Sequence, residues 1–245
     1  MVSLSDGAMD GTLSLLSWGD TGWSDDLFWG IVTTLKVSIS AYLIALVFGT
    51  VCAVGKQSSW RAVRFIAGVY TTVVRALPEL LVILLLYFSI ASGIERLVKG
   101  FGLADDTFQV SPFWAAVVAL AFVSGAFMAE VLRAAYLAVP LGQIEAGLAL
   151  GMHRGLILVR IVAPQMIRHA IPGMGNLWLE MTKESAIISV LGAFNDLLYV
   201  GYRAAAGTRQ YIFFYGITAV LFLMITAVSV WAISRIERRF SRGYR

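Results

Sequence analysis

The chain has 245 residues, of which 59% are hydrophobic and only 14% charged, well short of the roughly 25% charged residues of a soluble globular domain. That balance excludes an ordinary soluble domain and points to an all-α integral membrane protein. The formal net charge of +4 does not argue for nucleic acid as a partner, because the basic residues stand beside apolar runs, where positive-inside topology accounts for them.

No secretory signal is evident at the start: the first 27 residues hold Asp6, Asp10, Asp20, Asp25 and Asp26 and neither Lys nor Arg, whereas a signal peptide opens on a basic region. The first span is therefore expected to act as its own insertion signal. Residues 29–54 are long enough to cross ~30 Å of hydrocarbon, with Trp23 and Trp29 placed for an interfacial belt. Cys52 lies within this run and reads as a small hydrophobe. Lys56, Arg61 and Arg64 follow and mark the cytoplasmic side.

Residues 65–91 supply a second span, interrupted by Arg75, Pro78 and Glu79, and residues 95–109 a mixed-charge loop on the opposite side. The third span, 113–138, carries Glu130 and Arg133 one helical turn apart near its inner end. A polar interlude over 141–165 then brings Arg154 and Arg160, again cytoplasmic. Residues 170–191 are apolar only in part, since Asn176, Glu180, Lys183 and Glu184 interrupt them. They are expected to form a fourth span shielded from lipid, because only a crossing there places both flanking basic clusters inside. Residues 211–233 are a fifth, with an aromatic outer end and a basic tail of Arg235, Arg238, Arg239, Arg242 and Arg245. The expectation is a single domain, 1–245, of five transmembrane helices, N-terminus outside and C-terminus in the cytoplasm.

Several chemistries lack their residues. A phosphate-gripping loop needs Gly-x4-Gly-Lys-Ser/Thr, and none of the four lysines, Lys36, Lys56, Lys99 and Lys183, precedes Ser or Thr. His153 and His169 have no second ligand at metal-binding spacing, and no Gly-x-Ser-x-Gly elbow occurs. The chain is expected not to be an enzyme, and to need neither metal nor cofactor. Ionisable residues inside spans are the positive signal, since each is a candidate for a substrate path. Arg75 and Glu79 are four residues apart, the spacing at which helical side chains pair; a substrate site and a structural ion pair both fit. Glu180 and Lys183 admit the same two readings, and Glu130 with Arg133 reads as structural.

Within the interlude, Glu145, Ala146 and Gly147 are followed after three residues by Gly151, after nine more by Ile161, and then by Pro164. Small residues at these positions suit the close approach of another protein. Pro164 is expected to steer Ala163 to an extended backbone, holding the segment at an angle to the next span. The spacing resembles the EAA loop of permease subunits in ATP-binding-cassette importers, with Gly147 for a third Ala and Ala163 for the usual Leu. The run 125–152 and the segments RALPELL (75–81) and IPGMGNLWLEMTKESAIISVLG (171–192) are similar to signatures of the polar amino-acid branch, which carries histidine, arginine, glutamine and opines. Glu79, directly after Pro78, resembles the Q-type member of the permease pairs in that branch.

The resemblance implies a type I ABC importer permease fold in the bacterial inner membrane. It implies two ATPase subunits, a second permease that is homologous but a different chain, a periplasmic solute-binding protein, and a polar, cationic amino acid or opine as substrate. Glu145, Ala146, Gly147, Gly151 and Pro164 would couple to the ATPases, and Arg75, Glu79, Asn176 and Glu180 would contact substrate. The rival class is an ion-coupled secondary transporter of amino acids. It would be built from paired repeats, and five spans with one distinctive loop do not divide that way.

Overall fold

A computed structural model describes residues 14–19, 22–101, 109–189 and 194–241, and these are helical wherever they are regular. In chain order the helices are α1 (Ser24–Gly55), α2 (Arg61–Ala76), α3 (Glu79–Gly100), α4 (Pro112–Leu137), α5 (Leu141–Ala149), α6 (Arg154–Ile157), a π-helical turn (Leu158–Val162), α7 (Ala163–Ser189), α8 (Leu197–Thr208) and α9 (Tyr211–Ser241). Among the described residues four helices are long and apolar enough to cross a membrane: α1, α3, α4 and α9.

Helix α4 is the centre of the packing. Its residues Ala116, Ala119, Leu120, Ala121, Ala126, Met128 and Ala129 are fully buried, and α1 lies along it. The approach is close because the seam is built from small residues, as between helices in lipid, where backbone proximity rather than water exclusion drives association. A Cβ on Gly49 would stand 2.6 Å from Met128, and one on Gly125 would stand 3.0 Å from the Cβ of Phe48. Hydrogen bonds cross the remaining seams. Tyr70 donates to the Phe122 carbonyl at 2.6 Å, Tyr42 to the Met174 carbonyl at 3.0 Å and the Trp178 indole to Ser229 at 3.0 Å.

One expectation is corrected. The stretch 65–91 is not one helix: Pro78 has no N–H to donate and pushes Leu77 to an extended backbone (φ −94°, ψ 154°), so α2 stops at Ala76 and α3 begins at Glu79. The stretch 170–191 falls within α7 as far as Ser189, and its partial apolarity keeps α7 out of the strongly apolar helices, in line with the expectation for that stretch; 190–193 lie outside the described residues. Residues 197–208 form α8, whose first turn is capped by Asp196 accepting from the Tyr199 N–H at 2.8 Å. The last helix continues beyond 233 to Ser241, carrying Arg235, Arg238 and Arg239 in helical register. Arg242 and Arg245 lie outside the described residues, as do Asp6, Asp10 and Asp20.

Candidate functional site

The break at Leu77–Pro78 sets where charges go. A continuous helix would stack Arg75 against Glu79, but the extended Leu77 rotates them apart, and no ion pair joins them. Arg75 Nη1 instead lies 3.8 Å from Glu130 of α4, with its guanidinium 5.5 Å above the Phe127 ring. Glu130 also accepts from Lys56 and, at 2.9 Å, from Arg133; Lys56 donates in addition to Thr71 at 2.8 Å. One carboxylate thus ties the end of α1, the last turn of α2 and α4 together. The structural reading of Glu130 and Arg133 matches this geometry.

Glu79 goes elsewhere. As the first residue of α3 it lines a narrow cleft with Glu180 and Glu184 of α7, walled by Ser124 and Phe127 of α4 and by Leu177. Glu184 lies within hydrogen-bond reach of Glu79. Two of the four residues expected to contact substrate, Glu79 and Glu180, are therefore brought together. Arg75 is held over the Phe127 ring near Glu130, and neither it nor Asn176, exposed one turn before Glu180, is part of the cleft lining. No ion pair links Glu180 to Lys183 among the described residues, and Lys183 is exposed. The residue that sequence reasoning did not place in the site is Glu184. Its signal was present: it follows Glu180 by four residues, the spacing that puts both on one helical face.

The interlude 141–165 is a folded hook. Helix α5 ends where Gly151 takes φ +76°. The Gly151 N–H donates to the Leu148 carbonyl at 2.9 Å and the Met152 N–H to the Gly147 carbonyl at 3.0 Å, the paired bonds of a Schellman cap. Gly151 is needed for its backbone, not for lack of room, because nothing lies within 4 Å of where its Cβ would be. Gly147 is the reverse case: it is buried, and a Cβ there would stand 3.0 Å from Ile161 and 3.2 Å from Ile157. It serves the hook's own packing, while Glu145 and Ala146 are exposed. His153 caps α6, its Nδ1 accepting from the Leu156 N–H at 3.2 Å.

The expected angle at Pro164 does not form. Ala163 is helical (φ −60°, ψ −43°) and its N–H donates to the Leu158 carbonyl five residues back, so the wider π-turn takes up the proline and the backbone runs on into α7. The hook's outer surface exposes Leu141, Leu148, Leu150, Leu158 and Val159 beside Arg154 and Arg160. Such apolar residues beside charge suit contact with another protein or with the membrane surface.

Residues 45–242 match the family of binding-protein-dependent transport system inner membrane components, a span that takes in the charged clusters and the hook. The chain belongs to this family. The permease is 41% identical over 236 residues to the octopine transport system permease protein OccQ of Rhizobium meliloti, covering 96% of this chain and 98% of that one. It is 37% identical to the nopaline transport system permease protein NocQ of Agrobacterium fabrum, covering 95% and 98%. Against the arginine ABC transporter permease protein ArtQ of Escherichia coli it is 35% identical, covering 85% and 92%. Among solved structures, a chain of an amino acid ABC transporter crystallised with histidines superposes with a TM-score of 0.75 at 33% identity, covering 89% of the permease and 95% of that chain. The methionine transporter MetNI shares the fold, with a TM-score of 0.71 at 18% identity. The type I importer permease fold is thereby established, and the reading as an ion-coupled secondary transporter receives no support.

Proposed function

We propose that the permease forms part of the translocation path of an ATP-driven importer for cationic amino acids or opines, and that Glu79, Glu180 and Glu184 face the positive end of the substrate. The observation that carries this is the convergence of three carboxyl groups on one cleft at a helix break. Like charges gathered without a fixed cationic partner are costly in a low-dielectric setting. A transient cation offsets that cost each time one passes. The relatives that carry octopine, nopaline and arginine support the same substrate class. Arg75, half-exposed beside Phe127, would meet a carboxylate, and Asn176 would contact the substrate from outside the cleft lining.

The partners follow from the same reading. One of the complex's two ATPase subunits docks on the hook through Glu145, Ala146, Leu148 and Leu150, with Gly147, Gly151 and Pro164 shaping it; a second, different permease faces this one; and a periplasmic binding protein delivers substrate. Helix α7 serves as the fifth crossing, its charged face turned to the path, which puts the N-terminus outside and the arginines of α9 in the cytoplasm of a bacterial inner membrane. ATP closes the ATPase pair and favours the outward-facing permease, and a ~10⁴-fold preference of ATP for that state would make it dominant.

The test is reconstitution of the purified complex in vesicles with its binding protein, followed by ATP-dependent uptake of arginine, histidine, octopine and glutamate. The reading expects uptake of the cationic substrates and an affinity for them weakened about tenfold in Glu79→Gln. Equal uptake of glutamate, or a Glu79→Gln complex that transports unchanged, would overturn it. Affinity purification with mass spectrometry tests the partners, and recovery of the chain without a nucleotide-binding ATPase would refute the docking role of the hook.

A further inference from the structure

A groove of about 470 Å³ opens between α1, α7 and α9, lined by Leu35, Tyr42, Trp178, Val228, Ile233 and Ile236 among others. Three features describe its occupant. First, its polar groups are already engaged with one another: Tyr42 donates to the Met174 carbonyl and Trp178 to Ser229, both at 3.0 Å. A polar solute would find no free partner on these walls, so the occupant is apolar.

Second, the groove has a direction. The Trp178–Ser229 bond and the approach of Gly175 to Ile233, where a Cβ would stand 2.7 Å away, fix α7 and α9 in antiparallel register. From Val228 in the middle of α9 the lining residues step through Ala232 to Ile236, toward the arginine-bearing end. At ~1.5 Å per residue, Val228 to Arg239 covers roughly 16 Å, close to half of a ~30 Å hydrocarbon core. Third, the end is basic. Arg235 and Arg239 are exposed, and each follows a lining residue, Ala232 or Ile236, by one helical turn. Arg235 also lies 5.0 Å over the ring of Trp231, a cation–π contact that orients its guanidinium.

We propose that this groove holds one acyl chain of an anionic phospholipid, with the phosphate headgroup on Arg235 and Arg239. The leaflet-length apolar channel takes the chain, and the two guanidiniums select the negative headgroup as basic pockets at a membrane surface do. A bound lipid there bridges α9 to α7 and α1 across the groove.

The test uses the full complex in vesicles containing either phosphatidylglycerol or phosphatidylcholine brominated on its acyl chains, with quenching of Trp178 read as the difference between the native chain and Trp178→Phe. Phosphatidylglycerol is expected to quench Trp178 several-fold more strongly than phosphatidylcholine at equal mole fraction, and Arg235→Gln with Arg239→Gln to bring the two lipids to parity, each arginine contributing at most about fivefold to the preference. Native mass spectrometry supplies a second measurement that does not depend on Trp178→Phe: retained phosphatidylglycerol is expected on the native complex and its loss in the double arginine variant and in Ala232→Phe, which fills the groove. Equal quenching by both lipids would mean that bulk lipid alone wets the groove and would overturn the proposal. So would protection from both, which would mean that a protein segment such as the second permease covers it.

Discussion

Two charged clusters both border Phe127 and are built on opposite principles. Around Glu130 one anion is surrounded by three cations, Lys56, Arg75 and Arg133, on three different helices. In the neighbouring cleft, Glu79, Glu180 and Glu184 bring three carboxyl groups together. The first arrangement answers its own charge and holds helices together; the second gathers like groups, and no ion pair joins them to a cation among the described residues. Pro78 makes the difference possible, since without the break Arg75 and Glu79 would neutralise each other and neither cluster would exist in this form.

If the comparison is right, the largest effect belongs to Glu130→Gln. Removing the shared anion strands cations that are partly buried, and a loss of about 3 kcal/mol is expected, the low end for a broken buried network because Arg75 and Arg133 retain access to water. Thermal unfolding of the complex in detergent measures it, and a variant as stable as the native chain would mean that the cluster holds nothing together. Glu79→Gln should do the opposite, leaving thermal stability nearly unchanged while weakening transport affinity for a cationic substrate by about tenfold, the loss of one charge-assisted contact. Should Glu79→Gln destabilise as much as Glu130→Gln, the contrast between the clusters fails.

The hook supplies a smaller effect. Gly151→Ala forces a side chain into a left-handed conformation at an expected local cost of about 1 kcal/mol. Because the site is open, the cost is to the cap and not to packing, so Gly151→Asn, which tolerates that conformation, should recover most of the coupling between ATP hydrolysis and transport. Recovery by Gly151→Ala but not by Gly151→Asn would point to a steric contact instead. The smallest effect is expected for Arg75→Gln: its 3.8 Å pair with Glu130, made by a side chain 44% exposed, is worth about 0.5 kcal/mol. A transport defect larger than the stability change would then identify Arg75 as a substrate contact and not a mere member of the Glu130 network.

Much of this was legible residue by residue. The expected spans 29–54 and 113–138 lie within one or a few residues of α1 and α4, because runs of twenty or more apolar residues have few ways to fold in lipid. The Pro78 and Gly151 signals were also present, as was the spacing of the interlude. The corrections share a cause: backbone rules such as the effect of a proline are local tendencies, and neighbouring packing decides how they are expressed. Pro78 ended a helix, whereas Pro164 was absorbed by a π-turn packed on Val139 and Met166.

Sequence by itself determined that the chain lives in a membrane, that it has no phosphate-gripping loop of its own, and that it carries the spacing of an importer permease. These follow from composition and from order along the chain. Which charges become partners was decided only by the tertiary structure. Arg75 pairs with a residue 55 positions away (130 − 75) rather than with Glu79 four positions on, and Glu79 meets Glu184 across more than a hundred residues (184 − 79). Coulomb interaction acts through space, and the space between these side chains is set by how α2, α3, α4 and α7 pack.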